Sequence, residues 1–280
     1  MEKRIQSGHF TAFHQWLVEE EREPATIEKY LREVELFAAW MEGKAVTKEQ
    51  ATRWKAHLMA SGFQPGTVNG KLSALNKFFT FLGWSDCRIK YLRIQRRVFR
   101  NTDRELTKEE YLRLLETAQE MGQERLALLI ETICATGIRV SEVKNITVEA
   151  AQAGRAEISL KGKIRTILLP GKLCRKLIKY ARKKKIASGE IFLTRNDRSL
   201  SRRQIWAEMK ALCAKAGVEQ SKVFPHNLRH LFARLFYRAC RDVVKLADVL
   251  GHSSIETTRI YLISTGAEHA RQLERLGLVS

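Results

Sequence analysis

The segment VFPHNLRHLFARLFYRACRDVVKLADVLGHSSIETTRIY, running from Val223 to Tyr261, concentrates the chemistry of this 280-residue chain. His226 and Arg229 stand three residues apart just after Pro225, so a helix places them on one face, while Leu228, Leu231, Phe232 and Leu235 form a neighbouring apolar face. One stripe packs and the other is left free to work. A second apolar run, Val243 to Leu250, is broken by Gly251-His252; Ser253 and Ser254 can cap a new helix, and Tyr261 falls on that helix. Two imidazoles, a guanidinium and a phenol are thereby gathered in one compact segment.

Upstream lie two further motifs, Ala135-Thr136-Gly137-Ile138-Arg139-Val140-Ser141-Glu142 and Leu160-Lys161-Gly162-Lys163-Ile164-Arg165. The pattern H-x-x-R, then L-G-H, then a tyrosine nine residues on, resembles the tyrosine recombinases, also called the phage integrase family. The first upstream motif is similar to that family's arginine box, and the second to the turn carrying its catalytic lysine. Each motif is short, but the ordered set Arg, Lys, His, Arg, His, Tyr is specific, and the resemblance runs over nearly the whole chain. It implies a site of Arg139, Lys161, His226, Arg229, His252 and Tyr261, with Lys163 the alternative to Lys161 because the turn is one residue shorter than the commoner form.

These residue types suit transesterification in DNA, which needs a nucleophile, charge stabilisation around phosphorus and a proton for the departing 5′ oxygen. A phenol, with a pKa of about 10, needs a base or a cationic neighbourhood to attack at neutral pH. Arginine forks can hold the non-bridging oxygens and stay charged throughout. Imidazoles titrate near neutrality and can donate or shuttle protons. Since arginines supply the positive charge, neither a metal nor another cofactor is expected. The resemblance adds that Tyr261 forms a covalent 3′-phosphotyrosine, which a 5′ hydroxyl of a partner strand reverses without ATP.

Composition fits such a partner. Lys and Arg number 50 against 31 Asp and Glu, a net charge of +19, which points to a polyanion, here double-stranded DNA. No apolar run nears the roughly 20 residues of a membrane span, and MEKRIQSGHF shows no cleavable signal. The five cysteines, Cys87, Cys134, Cys174, Cys213 and Cys240, are widely spaced and contain no Cys-x-x-Cys, so a reducing cytoplasm is expected. His226, His230 and His252 imitate a metal set but have no nearby acidic residue to complete one; His230 reads as a packing residue and Glu142 as one that orients basic groups.

The periodicity predicts a mainly α fold with a small antiparallel β-sheet, in two domains. Residues 1–85 hold four amphipathic helices, built on Phe10, Phe13, Trp16 and Leu17; on Ile27, Tyr30, Leu31, Val34, Phe37 and Met41 after a Thr26 cap; on Trp54 and Leu58 after the capping box Thr47–Gln50; and on Val68 to Leu82 after a Thr67 cap. By resemblance this is the core-binding, SAM-like domain. Residues 86–104 crowd basic side chains without an apolar stripe and read as an interdomain linker whose Arg93, Arg96, Arg97 and Arg100 touch phosphates. Residues 105–280 form the catalytic domain. It opens with the capping box Thr107–Glu110, and its helical segments include one holding Glu142 and Val143 and one after the box Ser201–Gln204. Two β-like runs, Ala156 to Leu160 and Ile164 to Leu169, and a third short one at Ile191 to Leu193 complete it.

The layout resembles the simple two-domain Xer-like type, with no room before it for an arm-binding domain. A tail helix, Glu268 to Leu276, is too short to stand alone and must dock, either on its own domain or on the next subunit of a tetramer, homomeric or shared with a related recombinase. Two other readings stay open: a type IB topoisomerase that relaxes DNA without exchanging strands, and a non-catalytic DNA-binding regulator.

Overall fold

The computed structural model describes residues 2–94, 103–160, 163–252, 254–261 and 274–276. Lys161, Arg96, Arg97, Arg100 and most of the expected tail helix lie outside the described residues. The fold is mainly helical with one small antiparallel sheet, and the chain divides into two compact units, Met1–Arg96 and Arg97–Ser280.

In the first unit four helices, α1 (Ser7–Glu19), α2 (Pro24–Met41), α3 (Lys48–Ala60) and α4 (Pro65–Phe81), close on an aromatic core. Phe13, Phe37, Phe78 and Phe79 are fully buried, and the rings of Phe13 and Phe78 meet edge-on at 5.1 Å. Thr47 caps α3 as expected, its hydroxyl accepting from the Gln50 amide at 3.2 Å. Thr26 and Thr67 do not cap. Helices α2 and α4 begin three residues earlier than those caps would start them, because Pro24 and Pro65 occupy the first helical position, where a fixed φ favours the helix and a missing N–H costs nothing.

The start of the expected linker belongs to this unit. Asn76 is buried and pairs with the Ile89 backbone, its Nδ2 donating to the carbonyl at 2.9 Å and its Oδ1 accepting from the amide at 2.7 Å. Asn69 holds Leu92 in the same way, at 2.9 and 2.8 Å. A primary amide offers a donor and an acceptor side by side, the complement of one residue of extended backbone. Arg93 follows the strap and is exposed.

The second unit comprises α5 (Lys108–Glu120), α6 (Glu124–Thr136), α7 (Val148–Ala153), β1 (Arg155–Leu160), β2 (Lys163–Leu168), α8 (Gly171–Lys183), α9 (Arg202–Cys213), α10 (Pro225–Cys240), α11 (Val243–Leu250) and α12 (Ile255–Arg259). The capping boxes at Thr107–Glu110 and Ser201–Gln204 are both present. Strands β1 and β2 pair antiparallel, Ile158 opposite Arg165 and Ala156 opposite Ile167. Three local readings change. Val140–Asn145 is a 3-10 helix; the Ile191 to Leu193 run makes single bridges, Leu193 with Ser199, instead of a strand; and Tyr261 lies two residues past α12, its amide donating to the Thr258 carbonyl at 3.0 Å.

Two glycines set where the site falls. Helix α6 ends at Gly137 (φ +63°) and α11 at Gly251 (φ +62°), both left-handed, a conformation that glycine adopts without a Cβ penalty. A Cβ at 137 would strike the Phe232 ring of α10, which packs against α6. Among the described residues no helix is long and apolar enough to cross a membrane.

Candidate active site

Pro225 starts α10 and places His226 on its first turn, with Arg229 and His230 on the next. Arg229 is only 2 % exposed, so the stripe expected to be free is in fact buried at this position. Its guanidinium donates to the Gly137 carbonyl and, at 2.7 Å, to the Leu250 carbonyl. Those are the C-terminal ends of α6 and α11, where unpaired carbonyls and the helix dipole favour a cation. Burial lowers the Arg229 pKa and the nearby Arg139 charge adds to this, whereas a hydrogen bond with the Tyr261 phenol opposes it. Arginine's basicity leaves it charged at neutral pH.

Arg139 follows Gly137 and is the more open of the two, its side chain 38 % exposed. Glu142 orients it. The buried carboxylate accepts from Arg139 Nη1 at 3.0 Å, from the Arg139 amide at 2.9 Å and from Arg165 Nη2 at 3.0 Å. Arg139 Nη2 also reaches the Gly251 carbonyl at 3.4 Å. One acidic group thus balances a cluster of three guanidiniums, leaving a net positive site suited to an anion.

His252 follows Gly251 and bridges the cluster to Thr258. Its Nε2 lies 3.0 Å from Arg229 Nη2 and its Nδ1 lies 2.8 Å from the Thr258 hydroxyl. Arginine can only donate, so Nε2 accepts and the ring proton sits on Nδ1, pointing at Thr258. Burial pushes His252 down to about 4, and the Arg229, Arg139 and Arg165 charges act in the same direction. Burial likewise brings His230 to about 4, helped by His226, and lowers His226, helped by Arg229.

Tyr261 is 3 % exposed and lies between two of these rings. The His252 ring stacks on it at 5.9 Å and the His230 ring meets it edge-on at 4.5 Å, while His230 in turn meets His226 edge-on at 4.5 Å. Arg139, Arg229, His226, His252 and Tyr261 are therefore brought together as the sequence suggested; Lys161 lies outside the described residues. Sequence reading missed Thr258, whose hydroxyl faces the His252 Nδ1, and Arg165. A buried threonine three residues before a tyrosine carries no sequence signal. Arg165 had one, a charge between Ile164 and Thr166 in a β-like run.

Comparison with known proteins places the chain by sequence and by fold. Residues 104–268 match the phage integrase family, and residues 10–86 match the phage integrase N-terminal SAM-like domain. The chain is 30% identical over 286 residues to the tyrosine recombinase XerA of Pyrococcus furiosus, covering 99% of this chain and 97% of that one. It is also 30% identical over 266 residues to the tyrosine recombinase XerD of Brucella suis, covering 84% and 85%. Its fold resembles that of lambda integrase, solved as a tetramer bound to a Holliday junction, with a TM-score of 0.73 at 16% identity over 93% of this chain and 77% of that one. The chain belongs to the phage integrase family. Its activity is accordingly site-specific DNA recombination by strand transesterification.

Proposed function

We propose that Arg139 and Arg229 hold the two non-bridging oxygens of the scissile phosphate and that Tyr261 attacks the phosphorus, forming a 3′-phosphotyrosine and releasing a 5′ hydroxyl. The observation that supports this best is the meeting of Arg139, Arg229, His252 and Tyr261 around the C-terminal end of α11. Forked donors preorganised where negative charge develops stabilise a phosphorane-like transition state. The neutral His252 relays its hydrogen bond from Arg229, and His226 assists proton transfer. Lys161, or Lys163 across the same turn, gives the proton to the leaving oxygen. Tyr261 turns outward from between His230 and His252 to reach the phosphate.

In this reading residues 1–85 grip DNA as a core-binding domain, 105–280 carry the chemistry, and Arg93, Arg96, Arg97 and Arg100 contact phosphates between them. Recombination takes place on paired sites in a tetramer, homomeric or shared with a related recombinase. The protein acts in the cytoplasm, in keeping with five unpaired cysteines. Incubation with two differently labelled duplexes carrying the site tests the reading: strands joined between labels are expected. Relaxation of supercoils without joined strands would place the chain with the type IB topoisomerases.

A further inference from the structure

Arg165 breaks the pattern of the hairpin that carries it. Along β2 the side chains alternate, and Arg165 and Ile167 fall on the same face; Ile167 is 2 % exposed and the Arg165 side chain 13 %. The opposite face carries Ile164 at 77 % and Leu168 at 74 %. A strand that turns an arginine in beside a buried isoleucine and leaves two large aliphatics in water departs from the usual alternation. Local rules broken in this way concentrate at functional positions.

What holds the arginine inside is a set of three contacts, each with a segment of the active site. Its Nη2 donates to Glu142 at 3.0 Å, the same carboxylate that orients Arg139. Its Nη1 donates to the Leu250 carbonyl, which Arg229 also engages. Its side chain lies over Gly251, so closely that a Cβ there would collide with Cδ, Nε and Nη1. The third nitrogen, Nε, is buried with no hydrogen-bond partner among the described residues. The fork therefore joins the arginine box to the turn that carries His252, from behind both.

We infer that Arg165 is a positioning residue for strand cleavage: it fixes the spacing between the Arg139–Glu142 pair and the Leu250–Gly251–His252 turn, and hence the separation of the two guanidiniums that face the phosphate. Both of its terminal nitrogens bond the protein, Nη2 to Glu142 and Nη1 to the Leu250 carbonyl. Burial pushes its pKa down to about 10, which leaves it charged at neutral pH. Lysine cannot replace it, since a single ammonium on a flexible stem cannot serve Glu142 and Leu250 with a planar fork. Glycine at 251 follows from the same packing: the position needs both a left-handed backbone and room for the Arg165 side chain.

This inference rests on the phosphate-clamp reading above, and its test separates the two. Single-turnover formation of covalent protein–DNA complex on a nicked duplex is measured beside equilibrium binding and thermal midpoint, for the wild type, Arg165→Lys, Arg165→Met, Gly251→Ala and the Arg165→Met/Gly251→Ala double variant. Loss of a supporting partner behind a site typically costs about 10 to 100-fold in activity. The expected result is a cleavage rate lowered by that factor in each single variant with affinity for DNA unchanged, no further loss in the double variant, and a failure of Arg165→Lys to restore the rate even where it restores the thermal midpoint. Wild-type cleavage in folded Arg165→Lys would overturn the inference, as would a rate loss that follows the thermal midpoint across the series. If the methionine variant does not fold, the lysine and Gly251→Ala variants decide the matter by the same comparison. Absence of any covalent complex in the wild-type protein would instead remove the phosphate-clamp reading.

Discussion

Arg229 donates to His252 across 3.0 Å, and that bond fixes the imidazole as neutral with its proton directed at Thr258. Protonating Nε2 would set two donors against each other inside a cluster of arginines. His230 and His252 are accordingly held at about 4, against about 6.5 for a free imidazole. Between those values the unfolded chain binds more protons than the native one, so stability is fully present above pH 6.5 and falls as the pH drops toward 4. The urea midpoint is expected to decline from pH 6.5 to 4.5, and His252→Asn to flatten that decline. An identical slope in the variant would show that His252 does not resist protonation in the folded protein.

The two forks proposed to hold the phosphate differ in what else they do. Arg139→Ala removes a partly exposed donor, whereas Arg229→Ala also strips the cation from the C-terminal ends of α6 and α11. Both are expected to slow covalent capture by roughly 10² to 10³-fold, the scale for losing one preorganised donor. Only Arg229→Ala is expected to lower the thermal midpoint substantially, because it takes the guanidinium donor from the buried Gly137 carbonyl and leaves the Leu250 carbonyl to Arg165 alone. Equal destabilisation by both would mean that the arginines share one structural role.

Charge at the site comes from guanidiniums, three of them around Glu142 and the end of α11. Covalent complex formation is therefore expected at full rate in excess EDTA. A complete loss that added Mg²⁺ restores would shift the chemistry toward metal-assisted phosphoryl transfer.

In the first unit the buried Asn76 is the clasp of the strap. Asn76→Ala orphans the amide and carbonyl of Ile89 in an apolar setting, at about 1–3 kcal/mol for each unsatisfied group. A fall of about 2–4 kcal/mol in the stability of this unit is expected in urea denaturation, with Asn69→Ala, at a partly buried site, costing less. Wild-type stability in Asn76→Ala would mean that water replaces the clasp.

The helices of both units were legible because their apolar residues recur with helical period, and three capping residues, Thr47, Thr107 and Ser201, announced their starts. Thr26 and Thr67 misled because a proline two residues earlier offers a better first helical position. The strap at Ile89 was hidden by its neighbours: Arg88 and Lys90 made the segment read as solvated, while the force holding it comes from asparagines on α4, distant in sequence. At the site, the residues proposed to take part in the reaction stood out by type and spacing. Of those that support it, Glu142 was legible as a residue that orients basic groups; Thr258 and the inward turn of Arg165 were not, since they depend on contacts across 6 to 85 residues of chain.

Everything proposed for the site turns on Tyr261 as the nucleophile. That role is tested most directly by trapping the protein on a nicked duplex, digesting the adduct and mapping the residue joined to DNA. Wild-type protein is expected to carry the DNA on Tyr261 through a 3′ phosphate with a free 5′ hydroxyl left behind, and Tyr261→Phe to bind the duplex with unchanged affinity and form no adduct. Adduct at wild-type yield in Tyr261→Phe, or DNA attached to any other residue, would contradict the assignment.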